Sequence, residues 1–198
     1  MIDMKLHNPL DGIMDSKSKV RILRLLFRFP GRDFTEREIA SMINMSPNTV
    51  NLALNDLRRT NVFIYKRIGR THAYHCNQGS ALFPLFTALF EREGKIWLEL
   101  LDYLRMGLAG VGTSILFGSF ARSEESYDSD LDILIIAKNK KLAESRLSEV
   151  SERVLSEFSV TIAPMIMTRS EFEIKKRKGF IKQALSEGII IVKDGSES

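Results

Sequence analysis

The chain has 198 residues, 44% of them hydrophobic and 27% charged, which is enough material for two small cores. Its single cysteine excludes an intramolecular disulfide and a cysteine-rich zinc site and suits a reducing cytoplasm; with no signal peptide and no long uncharged apolar span, no membrane role is expected. Charge is unevenly spread: residues 1–80 hold 13 Lys and Arg against 7 Asp and Glu, a net of +6, whereas residues 81–198 hold 16 against 18, a net of −2. A basic first part is the electrostatic footprint of a protein that meets nucleic acid.

The first predicted element runs from Ser16 to Phe29. Val20, Ile22, Leu23, Leu25, Leu26 and Phe29 build one apolar face, interleaved with Lys17, Lys19, Arg21, Arg24 and Arg28, so the helix is amphipathic and basic. Pro30-Gly31 ends it. Thr35, followed by Glu36-Arg37-Glu38, reads as a cap with early acids opening a second short helix through Met42, and Asn44-Met45-Ser46 forms a turn. Ser46 as N-cap and Pro47 at the first helical position open a third helix in which Val50, Ala53, Leu54 and Leu57 share a face. Ser46, Asn48, Thr49, Asn51, Asn55 and Arg58 remain for the outside. Asparagine can pair bidentately with adenine in a major groove, so this helix is the candidate reader of double-stranded DNA.

Val62 to Ile68, Gly69-Arg70-Thr71 and His72 to Cys76 then read as a β-hairpin with a basic tip, from which Arg67 and Arg70 would track phosphates. His72 and His75 lack partner ligands at zinc spacing and are read as strand or phosphate-contact residues. In order and pattern, residues 15 to 78 resemble a winged helix-turn-helix of the prokaryotic transcription-regulator type. Residues 81–110 follow as a helical connector: Ala81 to Phe90 and Lys95 to Met106 are apolar and helical, with a break near Gly94. Phe83, Phe86, Phe90 and Trp97 are core or interface residues: the segment either packs the two domains together or forms a dimer interface, and a homodimer is expected.

After Gly107 to Gly112, Thr113 to Phe117 is a short β-branched strand that ends at Gly118-Ser119, a turn into a short helical run through Arg122. Free N–H groups and the Ser119 hydroxyl suit terminal phosphates, and Arg122 can add a charge-assisted contact. Asp130 and Asp132 begin the strand Leu131 to Ile136 at i and i+2, which puts both carboxylates on one face, roughly 7 Å apart at Cα. Two such carboxylates repel unless a cation neutralises them, and oxygen ligands beside phosphates favour Mg²⁺. Gly-Ser, ten residues from Phe120 to Ser129, then Asp-x-Asp resembles the signature of the minimal nucleotidyltransferases of the DNA polymerase β-like superfamily; Ala121, Arg122, Ser129 and Ile133 also match, while Ser123 stands where glycine is more usual.

The resemblance implies that Gly118 and Ser119 hold the β- and γ-phosphates of a nucleoside triphosphate. It also implies that Asp130 and Asp132 hold Mg²⁺ and serve catalysis, and that a nucleoside monophosphate passes to a hydroxyl on a protein or small molecule. The family usually adds a third carboxylate on a later strand, as base for the attacking hydroxyl. Here that strand, Ser159 to Met167, contains no acid, and Thr161 or Ala163 occupies the expected face. Glu171 and Glu173 could substitute, although Thr168 as N-cap with acids in the first turn explains them. A helix over about 140–157, one over 170–186 carrying the basic run Lys175 to Lys178, a strand Ile189 to Val192 and a frayed tail from Gly195 complete the chain.

The expected fold is α+β: a winged helix-turn-helix over 1–80, the connector over 81–110 and a mixed-sheet nucleotidyltransferase fold over 111–198. The alternative function is a regulator whose transferase fold only senses nucleotide or binds a partner, as an antitoxin would.

Overall fold

The computed structural model describes residues 7–69, 71–176 and 179–194, the Phe180 side chain excepted. Arg70, Arg177, Lys178 and the tail from Gly195 lie outside the described residues. The chain divides into two compact units, Met1–Lys95 and Ile96–Ser198.

In the first unit the caps act where the sequence places them. Ser16 accepts from the Lys19 N–H to start α1 (Lys17–Arg28), and Ser46 from the Thr49 N–H to start α3 (Pro47–Leu57). Thr35 forms a reciprocal capping box with Glu38 at the head of α2 (Glu36–Met42). Strands β2 (Phe63–Ile68) and β3 (Thr71–Cys76) form the hairpin, with Ile68 opposite Thr71. A two-residue strand not foreseen from sequence, β1 (Phe34–Thr35), pairs antiparallel with β3 and gives the sheet order β1-β3-β2. The extended backbone that an N-cap requires, φ −79 and ψ 160 at Thr35, is also strand backbone, so one residue serves both. Ile22, Leu26, Phe34, Ile39, Leu54, Leu57 and Phe86 fill the core. Lys19 is 5% exposed and answers its burial with Gly12 O at 3.0 Å, Asp15 at 3.0 Å and Asp56 at 3.4 Å, which clamps the short 3₁₀ turn Pro9–Gly12 to α1 and α3.

Helix α4 (Phe83–Gly107) runs unbroken through Gly94, so the expected break is absent. A helical glycine costs about 1 kcal/mol relative to alanine, and the good helix formers around it, Glu91, Arg92, Glu93 and Lys95, outweigh that. Its first turns place Phe83, Phe86 and Phe90 in the core of the first unit, and its later ones place Trp97, Leu100, Leu101 and Leu104 in that of the second.

The second unit is a four-stranded mixed sheet of order β6-β5-β4-β7, built from β4 (Gly112–Phe117), β5 (Leu131–Ala137), β6 (Ile162–Thr168) and β7 (Ile189–Val192). β4 pairs antiparallel with β5 and β7, and β5 pairs parallel with β6 through the crossover helix α6 (Lys140–Phe158). Leu131, Ile133 and Ile135 of β5 face a core shared with α4 and α6, including Leu104, Leu147 and Val154. Leu134 and Ile136 face the other side, against Phe172 and Ala184 of α7 (Arg169–Lys175) and α8 (Gly179–Glu187). The single helix expected over 170–186 is thus two: α7 ends at Lys175 and α8 begins at Gly179, whose φ of +53° cannot continue a right-handed helix from the residues before it. The architecture is α+β throughout: a winged helix-turn-helix followed by a mixed sheet flanked by helices. No described helix is long and apolar enough to cross a membrane.

Candidate functional site

β4 delivers the chain to Gly118, the first residue of the four-residue helix α5 (Gly118–Ala121), and pairs its last residue, Phe117, with Asp132 of β5. Gly118 has φ +75°, and a Cβ there would run into the Asp132 carboxylate oxygen and lie 3.0 Å from its Cγ. Glycine is therefore favoured by its backbone angle, and any larger residue would have to displace the Asp132 carboxylate packed against the turn. Asp132 projects on the Leu134 and Ile136 side of the sheet, and Asp130, two residues earlier, shares that side. Burial, then the Asp130 charge, pushes the Asp132 carboxyl above its ordinary value, while Arg122 draws it down. Such a pair is an electrostatic cost in the free protein and a reward to any cation that binds it.

Around this pair the structure brings Ser119 and Arg122 together with the acids. Among the described residues the Ser119 hydroxyl has no hydrogen-bond partner, and its carbonyl accepts the Arg122 and Glu124 N–H groups at 3.2 and 2.9 Å, which closes the turn. Arg122 Nε donates to Glu124 at 2.7 Å, and its Nη1 lies 3.7 Å from Glu187, so its charge is held in place by acids a phosphate would replace or share. Phe120 turns away and stacks on Trp97, ring centroids 6.1 Å apart and planes 8° from parallel, which backs the turn with a rigid aromatic pair.

The parallel register of β5 on β6 identifies the residues beside each acid. Ala163 is the partner of Asp132, and Thr161, just ahead of β6, donates its hydroxyl to Asp130. β6 carries no carboxylate, and among the described residues no group of three His, Cys, Asp or Glu is arranged to hold a metal. Glu171 does not fill the gap. It lies past the far end of β6, where Thr168 pairs with Ala137, and forms a capping box with Thr168 and an ion pair with Lys140 at 2.7 Å. Those contacts hold its carboxyl down at about 2. Glu173 lies on the same helix, beside Arg169 at 3.5 Å.

On the first unit, Asn48 is exposed, and Ser46 and Thr49 are joined by a 2.8 Å hydroxyl contact at the head of α3. The other amides are linked in a chain. Asn51 donates to Glu36 at 3.1 Å, Asn55 to Asn51 at 2.9 Å, and Arg58 to Asn55 at 3.5 Å while its guanidinium covers the Tyr65 ring at 3.9 Å. Tyr74 closes the network from β3 with a 2.8 Å bond to Glu36, and burial together with that bond pushes its hydroxyl pKa up. Asn51 is thus oriented by Glu36, a residue read from sequence only as a first-turn acid; no local signal marks a partner 15 residues away. Leu52, 60% exposed on α3, also escaped the sequence reading. Arg67 is exposed and donates to Gly69 O at 3.0 Å; Arg70 lies outside the described residues. His75 is held by Asp33 at 2.9 Å, with Lys66 on the same carboxylate, and His72 packs edge-on to Tyr65.

Compared with known proteins, residues 103–197 match the family model described as "Polymerase beta, Nucleotidyltransferase". No curated protein matches the sequence. Among solved structures, reduced HlyU from Vibrio cholerae is similar at 18% identity and a TM-score of 0.36, over 44% of this chain and 84% of that one. Rv0081 from M. tuberculosis is similar at 22% identity and a TM-score of 0.35, over 47% of this chain and 85% of that one. The second unit therefore carries a nucleotidyltransferase-like domain, while the winged-helix description of the first rests on its element order and sheet.

Proposed function

We propose that this protein binds duplex DNA through its first unit and a Mg²⁺-bound nucleoside triphosphate through its second, and transfers a nucleoside monophosphate to a hydroxyl of a protein or small molecule. The observation that carries the nucleotide reading is the packing of the Gly118 backbone against the Asp132 carboxylate, with Asp130 beside it. Gly118 and Ser119 would hold the β- and γ-phosphates and Arg122 would add charge. Asp130 and Asp132 would hold Mg²⁺; the raised carboxyl of Asp132 and its acidic neighbour suit a divalent cation. When bound, the ion neutralises the two acids and stabilises charge on the departing pyrophosphate. The DNA reading is supported by the net +6 over residues 1–80 and by an α3 surface bearing Asn48, Asn55 and Arg58. We place the protein in the cytoplasm and read it as a homodimer.

One observation favours a second reading. With Ala163 beside Asp132, β6 supplies no base for an incoming hydroxyl, as fits a domain that binds nucleotide as a sensor or meets a partner protein as an antitoxin would. Incubating the protein and its Asp130→Ala/Asp132→Ala variant with Mg²⁺ and each α-labelled nucleoside triphosphate separates the two. Pyrophosphate release and retained label that the variant lacks establish transfer. Saturable binding without release establishes the sensor, and equal behaviour of both proteins removes the nucleotide reading.

A further inference from the structure

The basic stripe of α1 is left unused by the reading above. Arg21, Arg24 and Arg28 recur at i, i+3 and i+7 and flank an open cleft of about 470 Å³ between α1 and the end of α2. The floor is apolar. Leu25 is buried beneath it, while Phe29 and Met42, both lining the cleft, remain 37% and 48% exposed. No acid lines it.

The cations are placed rather than trailing. Arg21 Nη1 donates to the Ile43 carbonyl at 3.3 Å, which fixes its guanidinium at the α2 side, and Arg28 lies 5.7 Å from the Phe29 ring centroid. Arg24 is held bidentately by Glu93 at 2.5 and 2.7 Å, which displays the carboxylate geometry this edge accepts. Among the described residues neither Arg21 nor Arg28 has an acidic partner. Glu93 already neutralises Arg24, so the charge left open along this edge of the cleft is that of Arg21 and Arg28.

We propose that this cleft is a binding site for a small organic anion: an aromatic or branched apolar body seated on Leu25, Phe29 and Met42, and one carboxylate or phosphate taken by Arg21 and Arg28. The volume falls in the range of small-molecule sites, and an apolar body seated on this floor would displace water from it and so strengthen the charge-assisted bonds at its rim. The occupant is a small molecule rather than a nucleic-acid backbone, because a phosphate chain needs no apolar floor.

The probe is 2-naphthoate, titrated into the full chain by calorimetry, with neutral 2-naphthamide as its control. Saturable naphthoate binding is expected, with the amide at least tenfold weaker. Arg21→Gln/Arg28→Gln should weaken naphthoate at least tenfold and leave the amide unchanged, whereas Met42→Gln should weaken both; thermal melts of each variant verify folding. Equal binding of acid and amide, or of wild type and the arginine variant, overturns the proposal. So does displacement of naphthoate by a short DNA duplex that protects Arg28, which would make the stripe a phosphate track.

Discussion

Gly118→Ala tests the geometry on which the proposed nucleotide site depends, and Gly110→Ala is its internal control. Both glycines have positive φ, +75° and +81°, but a Cβ at Gly110 meets nothing within 4 Å, whereas one at Gly118 meets the Asp132 carboxylate. A left-handed backbone costs an L residue about 1–2 kcal/mol, offset by about 0.4–1 kcal/mol because alanine stiffens the unfolded chain, so Gly110→Ala should lose about 1 kcal/mol. Overpacking adds about 1–3 kcal/mol, which puts Gly118→Ala at about 2–4 kcal/mol. The only tryptophan, Trp97, stacks on Phe120 two residues past Gly118, so urea unfolding followed by its fluorescence reports the second unit. In a double-mutant cycle, Asp132→Ala should abolish the excess loss of Gly118→Ala and leave Gly110→Ala unaffected. Equal losses at the two glycines, or an additive cycle, would refute the claim that the Asp132 carboxylate is held against the turn.

Three further outcomes follow from the same structure. Asp132 has its carboxyl raised in the fold, so its contribution to stability is intact below the unfolded value of about 3.9 and is lost as pH rises through the folded one. Asp132→Asn should therefore melt above wild type at neutral pH and converge with it near pH 4, and millimolar Mg²⁺ should raise only the wild type; coincident melts at every pH would contradict this. Glu171 has the opposite sign: held at about 2, it stabilises above its unfolded value of about 4.3 and ceases to as pH falls toward 2. Urea titrations of Glu171→Gln should show a deficit at neutral pH that closes over that window, with nucleotide handling unchanged, and loss of turnover would instead make Glu171 the missing acid. On DNA, Asn55→Ala should relax base preference by about 1–3 kcal/mol and Glu36→Gln should relax it without contacting a base, because Asn51 loses its anchor. Arg67→Ala should weaken all duplexes alike and reduce the salt slope by about 1; anisotropy over a duplex panel at several salt concentrations distinguishes these, and uniform weakening by Asn55→Ala would remove the reader role of α3.

What could be read from the sequence was local. Ser16, Thr35 and Ser46 announce their helices because capping is settled within three residues, and the alternation from Leu131 to Ile136 sorts itself between two cores without knowledge of what covers them. The Gly-Ser to Asp-x-Asp spacing placed the turn beside the acids because one turn and one strand pairing set it. What could not be read depends on distant partners. β1 exists only because β3, some forty residues later, offers it an edge, and Glu36 becomes the anchor of Asn51 only when α2, α3 and β3 meet. Gly94 failed as a breaker because its neighbours' helix propensity outweighs one glycine. The acid-free β6 was visible in sequence, but that Ala163 is the residue beside Asp132 required the register.

That register carries a consequence for how far this site stands from a three-acid one. Asp132 lies against the glycine turn on one side and beside β6 on the other, where the residue paired with it, Ala163, ends in a methyl group. The fold keeps a third acid within reach of a single replacement, Ala163→Asp, at the electrostatic cost of crowding another negative charge onto two that already repel.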